Sequence, residues 1–262
     1  MATATFTRIV KQAPFYDEGH GFDVFGLHPP YLARAVEAGR LIYERYFRVD
    51  STGIEHIPAA GPTIVVANHA GVLPVDAAML CLDVLLNSDP PRIPRAVGEH
   101  FIPRLPLVNT LFARLGVVSG TRPNVRRLVE RGELLALWPE GVSGPAKRFR
   151  DRYQLQTWHV GFAELALRHQ ATIVPAAIIG AEESWPLLAK LGIHVFGSPY
   201  VPIPMSPLPL PARYHIRYGE PIVIPAGDPD DPACVRAAAS RVRVAVEQLI
   251  QDGLAERKGV FQ

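Results

Sequence analysis

A run of β-branched and apolar residues, Thr63 to Val66, breaks off at Asn68-His69, crosses a short loop containing Gly71, and reopens after Pro74 as an apolar helical pattern over 75–86. A strand that stops at a polar pair before a helix is the unit of open α/β sheets, and the loop beyond its carboxyl end is where such sheets place ligands and chemistry. The alternation recurs along the chain. Short apolar runs fall at 63–66, 95–98, 116–118, 133–138, 172–179 and 214–218, and helical patterns at 75–86, 107–115, 124–131 and 158–168. Asp231-Pro232 reads as the N-cap and first-turn proline of a final helix whose stripe is Val235, Ala238, Val242, Ala245 and Leu249. The expected fold class is α/β, a single domain with a mainly parallel or mixed central sheet flanked by helices.

The chain has 262 residues, enough to bury roughly three quarters of its unfolded surface in one domain. Residues 1–50 are expected to form an N-terminal arm and an amphipathic helix over 30–47, with Leu32, Val36 and Tyr43 on its apolar face; residues 51–262 form the α/β domain, in one compact unit. A hydrophobic share of 48% excludes a disordered chain, and a net charge of +2 gives no reason to expect a nucleic-acid partner. Cys81 and Cys234 are the only cysteines, so neither a disulfide framework nor a metal site of cysteine spacing is expected. Residues 1–14 lack the basic-then-apolar pattern of a signal peptide, and no stretch reaches the ~18 apolar residues of a membrane span. The expectation is a cytoplasmic protein that meets any lipid substrate peripherally, from the inner face of a membrane or on a carrier.

From Pro199 to Pro211 six prolines stand among apolar residues. Proline fixes φ and brings no amide donor, so an extended loop is expected there. Such a loop could line an acyl-chain tunnel, dip into a bilayer surface, or serve as a rigid connector over the sheet.

His69 is the candidate general base, and Asp76, at the start of the following helix, its orienting partner. Imidazole titrates near neutrality, and a neighbouring carboxylate fixes its tautomer and stabilises the imidazolium. A second block, Leu137-Trp138-Pro139-Glu140-Gly141, lies further on, with Lys147, Arg148 and Arg150 just after it. Between the two runs Gly116-Val117-Val118-Ser119-Gly120-Thr121-Arg122, and after both comes Ile173-Val174-Pro175, leading to Gly180. Four short blocks in this order, from about Gly61 to Gly180, resemble the glycerolipid acyltransferase superfamily, whose members include the lysophospholipid and 1-acylglycerol-3-phosphate O-acyltransferases.

The resemblance implies transfer of a fatty acyl group from acyl-CoA, or an acyl carrier protein, to a glycerolipid or lysophospholipid hydroxyl. It implies no cofactor or metal beyond that co-substrate. His69 and Asp76 would be catalytic; Arg122 would grip the acceptor phosphate, supported by Lys147 and Arg148, with Glu140 and the Gly141 backbone near the acceptor and the oxyanion. No serine sits in a GxSxG context, which favours direct transfer over an acyl-enzyme. Two departures stand out. Six residues separate His69 from Asp76 where most members have four, and Pro139-Glu140-Gly141-Val142-Ser143-Gly144 lacks the arginine that usually follows. They leave open a neutral acceptor, such as a mono- or diacylglycerol or a long-chain alcohol, and a catalytically silent lipid- or acyl-CoA-binding protein on the same fold.

Overall fold

The computed structural model describes residues 9–71 and 73–262. Helix α1 (Pro29–Leu41) opens on two prolines, placed in the first turn where an amide donor has no helical partner, and runs on as a wider π turn over Ile42–Tyr46. Strand β1 (Asp50–Thr52) precedes the expected β2 (Thr63–Ala67) and α2 (Val75–Asn87). Then come β3 (Pro94–Gly98), α3 (Val108–Arg114), β4 (Val118–Ser119), α4 (Arg122–Glu130) and β5 (Leu134–Leu137). The chain continues through α5 (Gly161–His169), β6 (Thr172–Ile179), a single turn α6 (Ala181–Ser184), β7 (Leu187–Leu191), β8 (Val201–Pro204) and β9 (His215–Tyr218). It closes with α7 (Pro232–Glu256), where the Asp231 carboxylate accepts from the Ala233 and Cys234 amides as the sequence predicts.

Seven strands form one sheet in the order β1-β9-β6-β2-β5-β3-β4. Every neighbouring pair is parallel except β6 and β9, so the sheet is mixed. Strand β2 lies at its centre, with Val65 opposite Ala136 on one side and Val174 on the other, and all five of its residues are buried. A strand covered on both faces needs a continuous apolar run rather than alternation, and Thr63–Ala67 supplies one. On one face pack Phe162, Ala166 and Leu167 of α5 with Val235, Val242 and Val246 of α7. The other face receives Met79, Leu80 and Val84 of α2 together with Phe47 and Tyr214. Helix α1 adds a further layer through Leu32 and Val36, which meet Leu85 of α2 and Ile93.

The arm is tied to this frame by a buried guanidinium. Arg95 of β3 holds Asp23 at 2.7 Å and Glu133 at 2.6 Å, and donates to the Gly116 carbonyl at 3.1 Å. The other Asp23 oxygen accepts from the amides of Phe25 and Leu27.

Two parts of the sequence reading need correcting. Strand β1 was not expected, because three residues at a sheet edge leave no apolar run to read. The proline-rich segment is not wholly a loop: Val201–Pro204 pairs with β7 in a separate two-stranded ribbon, with Pro202 opposite Lys190 and Pro204 opposite Leu187. Both strands of such a ribbon are edges, where a missing amide donor is tolerated. Since β2, β3, β4, β5 and β6 all run one way, the segments that follow their carboxyl ends, beginning at residues 68, 99, 120, 138 and 180, start from one edge of the sheet. Among the described residues no helix is long and apolar enough to cross a membrane.

Candidate active site

The carboxyl end of β2 is shaped by Asn68. Its side chain is fully buried and pairs with the backbone of Ile178 in both directions, Nδ2 donating to the carbonyl at 3.0 Å and Oδ1 accepting the amide at 2.7 Å. The side chain thus imitates the next rung of the β2–β6 ladder while the main chain peels away. His69 follows at the sheet edge. The loop then turns back through Gly71, at φ +85°, so that Asp76 in the first turn of α2 reaches the imidazole. His69 Nδ1 lies 2.7 Å from Asp76 Oδ2, and the same oxygen accepts the Ala70 amide at 2.8 Å. The two residues, widely spaced in sequence, are brought together by the loop before the helix and not by helical periodicity.

The ring is further fixed by its surroundings. Trp138 stands with its ring centroid 5.6 Å from that of the imidazole. Gly144 packs so closely behind it that a Cβ there would fall 2.8 Å from His69 Cβ, which explains a glycine at that position. Among the described residues no protein group is hydrogen-bonded to His69 Nε2, and no serine hydroxyl reaches the ring. Burial disfavours the imidazolium, but the Asp76 carboxylate, joined by Glu140, outweighs it, and the His69 pKa is raised above its ordinary value. The nearby thiol of Cys81 is pushed up to about 12 by burial and by the Asp76 charge, so it is protonated and a poor nucleophile.

Glu140 lies inside the protein. One of its oxygens accepts the His69 amide at 3.0 Å, and the other accepts the Gln156 amide at 2.8 Å and faces Lys147 Nζ at 3.3 Å. Lys147 is itself buried, clamped between Glu140 and Glu182, the latter at 2.8 Å. The family resemblance casts Lys147 as a support for Arg122 at a phosphate; the structure instead directs this ammonium to two internal carboxylates. Burial lifts the Glu182 carboxyl to about 7, against the opposing pull of Lys147. Glu182 also accepts the Tyr153 amide at 3.0 Å, and Tyr153 bonds Glu183, whose other oxygen pairs with Arg257 at 2.8 Å. This buried chain of charges was not visible in the sequence, because its members lie far apart along the chain.

The remaining expected residues fall elsewhere on the same edge. The Gly141 amide donates to the Trp138 carbonyl at 2.9 Å, so it closes a turn and is not directed outward to an oxyanion. Arg148 is exposed and borders a shallow cleft beside Ala70 and Gly71, shared with Phe149, Trp185 and Leu187. Arg122 opens α4, three strands across from β2; its side chain is 89% exposed and lies 3.2 Å from Glu164. A larger cleft of about 440 Å³ opens beyond the ends of β3 and β4, walled chiefly by Phe25, Ile102, Phe112, Ala113 and Val117. Glu99 links the two places: it follows the last residue of β3, and its carboxylate lies against Gly141. Among the described residues, no group of three or more His, Cys, Asp or Glu side chains is arranged to hold a metal ion.

Comparison with known proteins bears on the family and the fold. A family model described as Acyltransferase matches residues 48–179, half of the chain and the span that holds His69, Asp76, Arg122 and Glu140. An uncharacterized protein of Mycobacterium leprae is 38% identical over 91% of this chain and 69% of its own length, and one of Mycobacterium tuberculosis 38% identical over 92% and 72%. A human protein described as a DGAT1/2-independent enzyme synthesizing storage lipids is 26% identical over 95% of this chain and 74% of its own. The crystal structure of the 1-acyl-sn-glycerophosphate acyltransferase PlsC from Thermotoga maritima superposes with a TM-score of 0.59, covering 87% of this chain and 81% of that one at 18% identity, a likeness of fold. The chain belongs to the acyltransferase family.

Proposed function

We propose that the protein is an O-acyltransferase that moves a fatty acyl group from acyl-CoA, or an acyl carrier protein, directly to a glycerolipid hydroxyl. The observation that carries this reading is the 2.7 Å contact of His69 Nδ1 with buried Asp76, which leaves Nε2 without a protein partner among the described residues. With Nδ1–H donated to Asp76, Nε2 accepts the hydroxyl proton as the acceptor oxygen attacks the thioester carbonyl. The new C–O bond forms, the C–S bond breaks, and the departing thiolate takes the proton back from the imidazolium. The carboxylate holds the tautomer and offsets the positive charge that develops on the ring. Glu140 and Lys147 act on this step indirectly, by fixing the His69 backbone through the 3.0 Å bond to its amide.

The apolar cleft beyond β3 and β4 supports acyl-chain binding, since its volume lies in the ~300–1,000 Å³ range of ligand sites and its walls are mainly hydrocarbon. Arg148, beside the His69 loop, and Arg122, further along the edge, are the exposed cations proposed to meet a phosphate on the acceptor or on the donor.

A neutral acceptor is the second reading. The burial of Lys147 between two carboxylates removes one of the expected phosphate ligands, the arginine of the Pro-Glu-Gly block is missing, and a relative bears a name that speaks of storage lipids. The test is incubation of the purified protein and liposomes with a long-chain acyl-CoA and, in turn, lysophosphatidate, lysophosphatidylcholine, monoacylglycerol and diacylglycerol. Free thiol and lipid products are followed together. Thiol release matched by a new ester supports the transferase and names the acceptor. Tight acyl-CoA binding without release from any of them, with His69→Ala indistinguishable, would instead mark a binding protein on this fold.

A further inference from the structure

The β7–β8 ribbon pairs with no strand of the main sheet. Leu187 at its root is buried, but Leu188, Leu191, Ile193 and Phe196 are exposed, and Met205 and Leu208 carry the same character into the return segment. Leu188 and Leu208 leave 66% and 72% of their surface open. Single exposed apolar side chains are ordinary on any protein; so many concentrated in one segment are not. The turn at the tip holds Phe196 at φ +50°, a conformation bulky side chains seldom adopt, with Gly197 at +92°.

Charge in this segment has one sign. No Asp or Glu occurs between Glu183 and Glu220, and over residues 185–212 the only Asp, Glu, Lys or Arg is Lys190. The ribbon also leans across the carboxyl edge of the sheet. The Tyr200 hydroxyl donates to the Val142 carbonyl at 2.9 Å, and Gly197 packs on Arg104 and Phe101. The loops beneath it expose Arg104, Arg148 and Arg150, the last 3.7 Å from the Asp151 carboxylate. At its root, Trp185, Pro186 and Leu187 border the shallow cleft that Ala70 and Gly71 of the His69 loop line from the other side.

We infer that the β7–β8 ribbon is the docking element that seats this edge of the molecule on an anionic lipid bilayer. Its outward apolar side chains enter the boundary between headgroups and acyl chains, while Lys190 and the arginines below meet the headgroup phosphates. Apolar area supplies the attraction and the basic charge the preference for anionic lipid. The inference rests on the acyltransferase reading for its purpose, since docking on this edge brings the cleft beside His69 to substrates dissolved in the membrane. Its evidence, the distribution of apolar and charged side chains, is independent of that reading.

The test is co-sedimentation of the purified chain with vesicles of phosphatidylcholine, with and without phosphatidylglycerol. Wild type and His69→Ala should bind anionic vesicles equally, which separates docking from activity. The double variant Ile193→Asp/Phe196→Asp should bind at least about tenfold less, with its thermal transition kept. A second variant retains the aromatic character: the fluorescence gained in Phe196→Trp should be quenched by phosphatidylglycerol with brominated chains. Failure of wild type to bind anionic vesicles, equal binding by the double variant, or no quenching of the fluorescence gained in Phe196→Trp overturns the assignment. So does a wild-type dimer in solution that the double variant dissociates, because the ribbon is then an interface between copies.

Discussion

Helix α2 carries two buried carboxylates seven residues apart, and they do opposite work. Asp76 faces an imidazole at the sheet edge. Asp83 lies deeper and is surrounded by hydroxyl and amide donors: Tyr43 at 2.6 Å, Ser51 at 2.9 Å, Asn87 at 2.6 Å and Tyr218 at 2.8 Å. These bonds tie the π turn after α1, strand β1 and strand β9 to α2. Burial, reinforced by the Asp83 charge, pushes the phenols of Tyr43 and Tyr218 far above their usual range, so they remain protonated donors at any physiological pH. The partner of Asp76 is an imidazole, a group that can exchange a proton, whereas the phenols around Asp83 are held protonated. Burial of an acid therefore does not distinguish chemistry from architecture; the chemistry of its partner does.

The largest effect expected from this contrast is on turnover. His69→Ala should lower acyl transfer by about 10²–10⁴-fold while leaving the fold intact, the usual worth of a general base. Near-normal transfer by a well-folded variant would remove the assignment. Asp83→Ala should do the reverse. It leaves two phenol donors buried without their acceptor and should cost about 3 kcal/mol of stability, read as a lower midpoint in denaturant, with activity per folded molecule close to wild type. A drop in turnover as deep as that of His69→Ala would make Asp83 part of the chemistry and dissolve the comparison. Tyr43→Phe removes one of the four donors and should cost only about 1 kcal/mol by the same measurement.

Much of this arrangement was legible before any coordinates. The apolar run at 63–66 and its polar stop placed β2 and the His69 loop, because a doubly covered strand must be continuously apolar. Asp231-Pro232 placed the start of α7, because an N-cap and a first-turn proline are local chemistry. Legibility failed where a residue's partners are distant. Lys147 reads as surface charge in a Lys-Arg-Phe-Arg stretch, and only the fold brings Glu140 and Glu182 around it. Arg95 likewise reads as one more arginine until Asp23 and Glu133 arrive from 72 and 38 residues away. Strands β7 and β8 were hidden for another reason. A ribbon made of two edges can accept Pro202 and Pro204, so residues that argue against a central strand carry no such weight there. Asp83 gave no signal at all, being one acid in an apolar helix whose tyrosine partners lie 40 residues before it and 135 after.

The central claim is that His69 is a base held and tuned by Asp76, and the pH dependence of acyl transfer tests it most directly. Since the carboxylate favours the imidazolium, the His69 pKa lies above its ordinary value, and the ring is neutral, and able to accept a proton, only as the pH rises through that raised value. Wild-type kcat should therefore climb with pH to a plateau, with its inflection above the ~6.5 of a free imidazole. Asp76→Asn removes the charge that favours the imidazolium, so its inflection should move to lower pH and its plateau should fall. An inflection at the same pH in both proteins, or equal plateaus, would contradict the account.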